Sequence, residues 1–251
     1  MRVASRAAAC GRLPYLPVMW RFRAVLFDAA GTLIRLREPV GETYRRLAIA
    51  YGVTLPASRI EEAFRRVLRQ APPMVWPDAP PAQVAELERR WWRIVVRGSF
   101  RAADASARFT DFEGYFGTLF EYFARPEAWD PAPGAMETLC ALRARGSRTG
   151  VVSNFDHRLA GLLEGLGLAP QIEVVIRPAD AHAAKPDPRI FDCALRLLGV
   201  SADEAIYVGD DAEHDVAGAQ AAGLTAIDAS SLATLAELGP RICTLSKEKT
   251  A

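Results

Sequence analysis

Arg23-Ala-Val-Leu-Phe-Asp-Ala-Ala-Gly-Thr32 decides the fold. Its apolar run is short and stops at once at Ala-Gly-Thr. It therefore reads as a strand buried on both faces, the kind found in parallel sheets, rather than as a piece of helix. Two further runs have the same form: Arg148-Thr-Gly-Val-Val152 leads into Ser153-Asn154, and Glu204-Ala-Ile-Tyr-Val208 leads into Gly209-Asp210. Helical spacing lies between them, over 134–145 with Ala135, Leu139 and Leu142 on one face, and over 157–166, 188–198 and 213–222. This alternation predicts an α/β fold, a doubly wound parallel (Rossmann-like) sheet. Polar residues at the carboxyl ends of three strands then converge on one edge, where open α/β sheets bind their ligands.

Residues 38–128 break the alternation with helical patterns and almost nothing that reads as strand. Helix signals begin over 41–51. Ser58-Arg-Ile-Glu61 then has the form of a capping box, before Ile60, Ala63, Phe64, Val67 and Leu68 line one face. A proline-rich linker over 71–81 precedes a helix carrying Val84, Leu87, Trp91, Ile94 and Val95, and an aromatic-rich segment covers 109–123. The expectation is a core over 21–37 and 129–245, an all-helical insertion over 38–128 whose Trp and Phe residues form its own core, and a polar tail over 246–251. Arg2, Arg6 and Arg12 among alanines give 1–20 the look of a leader, but no continuous apolar segment accompanies them, so that stretch reads as a disordered extension.

With 251 residues the chain has room for one α/β core plus an insertion. A formal net charge of +1 sets up no field that would draw it to nucleic acid or to an anionic membrane. Cys10, Cys140, Cys193 and Cys243 show no metal-ligand spacing and read as thiols of a reducing, cytoplasmic setting. No apolar run approaches the roughly 18 residues of a membrane span. Nothing in the sequence indicates an oligomeric state.

Four signals occur in a fixed order: Phe27-Asp-Ala-Ala-Gly-Thr-Leu33, Val152-Ser-Asn154, Lys185-Pro-Asp-Pro188 and Gly209-Asp-Asp-Ala-Glu-His-Asp215. Together they resemble the haloacid dehalogenase superfamily over about 22–240, with the helical insertion where a type-1 cap belongs. Arg35-Leu-Arg-Glu-Pro-Val-Gly-Glu-Thr-Tyr44, Trp91-Trp92, Ser153-Asn-Phe-Asp-His-Arg-Leu159 and Lys185-Pro-Asp-Pro-Arg-Ile-Phe191 are similar to one narrower group of that superfamily, whose substrates are poorly defined. The resemblance implies that Asp28 is a nucleophile, forming a covalent intermediate that splits one hard displacement into two easier ones.

The neighbouring residues then acquire expected roles. Gly31 and Thr32 form a tight turn whose amides can hold transferring oxygens, and Ser153 and Asn154 add donors. Lys185 stands out because the only other lysines, Lys247 and Lys249, lie in the tail. It is expected to steady a carboxylate and a phosphoryl oxygen. Asp210 and Asp215, with Asp28 and the carbonyl of Ala30, offer the hard oxygens that Mg²⁺ takes, Asp215 acting through water. One of Asp211 and Asp215 is expected merely to cap the following helix, while His182 and His214 read as surface or loop residues.

One position departs from the pattern. Phosphatases of this superfamily carry a second aspartate two residues after the nucleophile, and here that position is Ala30. General acid–base help, typically worth about 10²–10⁴-fold, is missing there. Phosphonoacetaldehyde hydrolases share Asp-x-Ala-Gly-Thr but need a lysine from the cap, and 38–128 contains none. Haloacid dehalogenases also lack the second aspartate but use no metal, which Gly209-Asp210-Asp211 argues against. A phosphate-binding protein with little or no turnover is the other alternative. The leading expectation is Mg²⁺-dependent hydrolysis of a small phosphorylated metabolite, with Asp156 or His157 as a stand-in for the missing acid.

Overall fold

Every residue of β1 (Ala24–Phe27) is buried in the computed structural model, which describes residues 21–248. The extension expected over 1–20, Cys10 and Lys249 lie outside the described residues. β1 is followed by β2 (Ile34–Leu36) and four helices, α1 (Val40–Ala48), α2 (Ala57–Gln70), α3 (Pro81–Ala103) and α4 (Phe112–Phe123). β3 (Trp129–Pro131), α5 (Ala135–Ala144), β4 (Arg148–Val152), α6 (Leu159–Gly165) and β5 (Val174–Ile176) come next. The chain then runs through α7 (Pro178–Ala181), α8 (Pro188–Leu198), β6 (Ala205–Gly209), α9 (Gly218–Ala221), β7 (Thr225–Asp228) and α10 (Leu238–Glu248).

Five strands form one sheet in the order β5-β4-β1-β6-β7, with every neighbouring pair parallel. β1 is central, Phe27 lying opposite Val151 on one side and Val208 on the other. Alternation along β1 sends Val25 and Phe27 into a cluster with Leu139, Leu162 and Ile242, and sends Ala24 and Leu26 to the other face against Ile190, Phe191 and Leu198. Helices cover both faces, as the doubly wound prediction requires. Each large aliphatic side chain so buried contributes roughly 1.5–3 kcal/mol.

β2 and β3 pair antiparallel, Arg35 opposite Asp130, and this two-stranded ribbon brackets α1–α4. Those helices share an aromatic core of their own, including Tyr44, Phe64, Phe100, Tyr115 and Phe116. Asp111 starts α4 by accepting a hydrogen bond from Gly114 N at 2.9 Å.

The structure departs from sequence expectations at several places. α2 begins at Ala57, directly after Pro56, so Ser58 already lies inside the helix and makes no capping box. Glu61 instead accepts from Gly41 N at 2.7 Å and pairs with Arg65, tying α1 to α2. The buried stripe of α3 runs through Glu88, Val95, Val96, Ser99, Phe100 and Ala103, which leaves Ile94 on the outside, 61% exposed. The stretch expected as helix over 213–222 opens as a wide π-type turn, Ala212–Ala217, and only then becomes α9. Residues 246–248 of the expected tail are the end of α10, where Ser246 is buried and its hydroxyl donates to Ile242 O, while 249–251 lie outside the described residues. Among the described residues no helix is long and apolar enough to cross a membrane.

Gly41 marks the closest approach of α1 and α2: a Cβ there would stand 2.2 Å from Ala57 O. Gly161, in α6, has nothing within 4 Å of that position. The same substitution should therefore act with opposite signs. Gly41→Ala is expected to lose about 1–3 kcal/mol by forcing two helices apart, and Gly161→Ala to gain about 0.5–1 kcal/mol from backbone entropy, both read from urea denaturation midpoints.

Candidate active site

The strand ends carry the chemistry. Asp28 continues β1 and its amide donates to Val208 O at 2.9 Å; Ser153 continues β4 and its amide donates to Ile176 O at 3.0 Å. Both side chains are thereby fixed at the same edge of the sheet. Lys185, in the loop before α8, reaches the same point.

The Lys185 ammonium is buried and makes three contacts: Asp28 Oδ1 at 2.6 Å, Asp215 Oδ1 at 2.5 Å and Tyr207 Oη at 2.9 Å. An ammonium has three protons, so this cation is fully satisfied. Its backbone is clamped as well, since Asn154 Oδ1 accepts from Lys185 N and Asn154 Nδ2 donates to Lys185 O. Burial opposes the charged form of Lys185, but Asp28 and Asp215 outweigh it and hold its pKa up. Tyr207 has a single proton to give, to Val152 O at 2.8 Å or Asp215 Oδ1 at 3.0 Å. Burial pushes its phenol far up, so it stays neutral.

Asp210 stands at the exposed rim, its Oδ1 accepting from Thr32 Oγ1 at 2.9 Å. Oxygens of Asp28, Asp210 and Asp215 all lie within 4.8 Å of one another. Three carboxylates against the single Lys185 ammonium leave two formal negative charges in a largely buried space. Burial raises the pKa of Asp28, with Asp215 adding to it while Lys185 and Ser153 oppose. Burial also raises that of Asp210. Hard oxygen donors with surplus negative charge suit a divalent cation such as Mg²⁺. Asp215 Oδ1 already serves Lys185 and Tyr207 and its Oδ2 accepts from Asp211 N, so Asp28 and Asp210 are the freer pair.

Several predicted donors are placed differently. The Gly31 amide donates to Ile34 O and that of Thr32 to Ala29 O, so neither is free for a ligand. Gly31 is needed instead for its φ of 102° and for clearance, because a Cβ would fall 2.4 Å from Asp210 Oδ2. The Asn154 side chain is spent on Lys185. The amides of Ala29, Ala30 and Asn154 have no acceptor among the described residues, and the Ala30 carbonyl has no donor. Asp211 does cap the following turn, through Glu213 N and His214 N, and His214 and His182 are exposed. Tyr207 was invisible in the sequence, since a tyrosine in a buried strand has the pattern of core.

Asp156 and His157 do not offer a free acid. Asp156 is fully buried, bound by Arg158 at 2.5 Å and by Trp92 Nε1 at 2.6 Å. Burial raises its pKa, but the Arg158 hydrogen bonds and charge prevail and hold it below the usual carboxylate value. His157 Nδ1 lies 2.6 Å from Glu88 of α3, whose Oε2 also accepts His157 N. Arg158 packs 3.9 Å over the Phe120 ring and donates to Phe120 O. The loop after β4 is thus bound to the helical insertion by both networks. Between insertion and sheet edge lies a cavity of about 630 Å³, floored by Asp28, Lys185 and Asp210 and walled in part by Trp91 and Trp92. The Trp pair therefore faces the cavity as well as the helical core.

A family model described as haloacid dehalogenase-like hydrolase matches residues 22–223. The chain is 38% identical over 207 residues to the human (Homo sapiens) haloacid dehalogenase-like hydrolase domain-containing protein 3, covering 81% of this chain and 80% of that one. Among solved structures it is similar to a haloacid dehalogenase-type phosphatase from Thermococcus onnurineus (27% identity, TM-score 0.55, 82% of this chain and 86% of that one). It is also similar to a 2-haloacid dehalogenase from Pseudomonas syringae pv. Tomato DC3000 (25% identity, TM-score 0.55, 89% and 99%).

Asp156 carries a testable consequence. Because its folded pKa is depressed, its stabilisation is complete above the unfolded value of about 4 and is lost as pH falls through the lower folded value. Asp156→Ala strands the buried Arg158 and is expected to cost about 3–5 kcal/mol near neutral pH. In urea titrations that cost should shrink progressively at acid pH.

Proposed function

The chain belongs to the haloacid dehalogenase-like hydrolase family, and from that premise we propose that it is a divalent-cation-dependent phosphohydrolase with Asp28 as nucleophile. One observation carries the choice between phosphate and halide chemistry. Among the described residues, Lys185 is the one ammonium paired at the three-carboxylate cluster, with Asp28 and Asp215, and Asp210 has no ion-pair partner. A metal-free dehalogenase would leave two like charges uncompensated beside its nucleophile, whereas a divalent cation and a phosphate dianion fill such a site together.

Asp28 and Asp210, with the Ala30 carbonyl, would hold the cation, which when bound offsets charge on the phosphoryl oxygens. Lys185 opposes the rise that burial imposes on the Asp28 pKa, and leaves the second Asp28 oxygen to attack phosphorus. The amides of Ala29, Ala30 and Asn154 and the Ser153 hydroxyl suit the non-bridging oxygens. As the new bond from Asp28 forms, the phosphorus–oxygen bond to the leaving group breaks. Water then attacks the aspartyl phosphate, releasing phosphate and restoring the carboxylate. Tyr207 and Asp215 hold Lys185 in place throughout. With Ala30 in the acid's position, the leaving oxygen departs as its anion or takes a proton from water. The helical insertion would serve as a cap that limits water at this step.

Phosphate release from acetyl phosphate with Mg²⁺ tests this reading. The account expects activity that a chelator abolishes, no activity above background for Asp28→Asn, and no chloride released from chloropropionate. Ala30→Asp should raise kcat, by up to roughly 10²–10⁴-fold, if the missing acid is all that limits turnover.

A further inference from the structure

Two independent features of the cavity point to the leaving group. The first is what stands over Asp28. A phosphoryl group fills a small part of a cavity of about 630 Å³, a size suited to a drug-like organic molecule. The remainder is largely apolar, with Trp91, Trp92, Phe120 and Leu68 on its wall, although Arg35 and Arg69 also border it. Trp91 and Trp92 meet edge to face, with ring centroids 4.9 Å apart and planes at 86°. Such walls favour a flat aromatic ring, which binds by offset and edge contacts, over a hydrated polyol.

The second feature is Ala30. With no carboxyl at that position, the bond to phosphorus must break largely unassisted, which favours a leaving group stable as an anion. A phenol ionises near pH 10, whereas a water-like hydroxyl needs nearly 16. The Asp156 carboxyl is sealed by Arg158 and Trp92, and His157 is held by Glu88, so neither makes good the loss. His214, which also borders the cavity, is engaged with Asp211 at 3.1 Å.

We propose that the substrate is an aryl phosphate, its aromatic ring held against Trp91 and Trp92 and its phosphate on Asp28. This rests on the phosphohydrolase reading above. Asp28 bonds to phosphorus while the aryl oxygen–phosphorus bond breaks. The aryl oxygen keeps the electron pair, leaves as the phenolate and is protonated by water. Water then cleaves the aspartyl phosphate, as before.

The test has two arms. In the first, Asp28→Asn protein with Mg²⁺ is titrated with phenylphosphonate and with methylphosphonate, following tryptophan fluorescence and calorimetry. The phenyl compound should bind at least about tenfold more tightly, and Trp91→Ala or Leu68→Ala in the same background should reduce that preference to about threefold or less. Equal affinities, or a preference untouched by either substitution, would overturn the proposal. In the second arm, kcat/KM for naphthyl phosphate is compared with that for glycerol phosphate. If glycerol phosphate is turned over as well as the aryl ester, the aryl assignment falls and the phosphohydrolase reading stands. If nothing is turned over while the phenyl preference persists, the hydrolase reading falls and the aromatic site stands.

Discussion

Lys185 places a positive charge inside a protein, where an unpaired ion costs several kcal/mol. It is tolerated because each of its three protons meets an oxygen, from Asp28, Asp215 and Tyr207. Those acceptors come from the end of β1, from within β6 and from the turn after β6, and Asn154 after β4 fixes the lysine's own backbone. One buried cation thus sets the relative positions of the segments that follow the central strands. The sheet supplies the edge, and the ammonium fixes what stands along it.

The same charge leaves the site unfinished. Lys185 offsets one of three neighbouring carboxylates, and Asp210, supported by Thr32, is turned toward the cavity. The remaining negative charge is the physical ground for assigning a divalent cation and an anionic substrate. Above this polar floor the environment changes abruptly to indole and phenyl rings supplied by the insertion. Trp92 belongs to both layers, because its ring lines the cavity while its N–H holds the Asp156 carboxylate that in turn holds Arg158. Packing, charge and access to the site are coupled through that one residue.

The central strands were legible because β1, β4 and β6 are apolar runs that end abruptly in polar residues, a pattern little else imitates. β5 and β7 were not, since Val174–Ile176 and Thr225–Asp228 are short edge strands with partly solvated residues. Asp28, Lys185 and Asp210 were readable from motif order, and the structure brings them together. Side-chain partners were not readable. Whether an amide at Gly31 or at Ala29 is free depends on which carbonyls the turn brings within reach. Tyr207 and Trp92 look like core until their polar atoms are traced. Asp156 and His157 lie next to the site in sequence, but local geometry gives their side chains to the helical insertion.

The central claim is that Asp28 carries the phosphoryl group between the two half-reactions, and trapping that species tests it most directly. Protein turning over an aryl phosphate with Mg²⁺ is quenched in acid, digested and analysed by mass spectrometry. The account predicts that the peptide containing Asp28 gains the mass of one phosphoryl group and that the gain disappears in Asp28→Asn. Phosphate on any other residue, or rapid turnover with no labelled Asp28 peptide under conditions that preserve acyl phosphates, would contradict it.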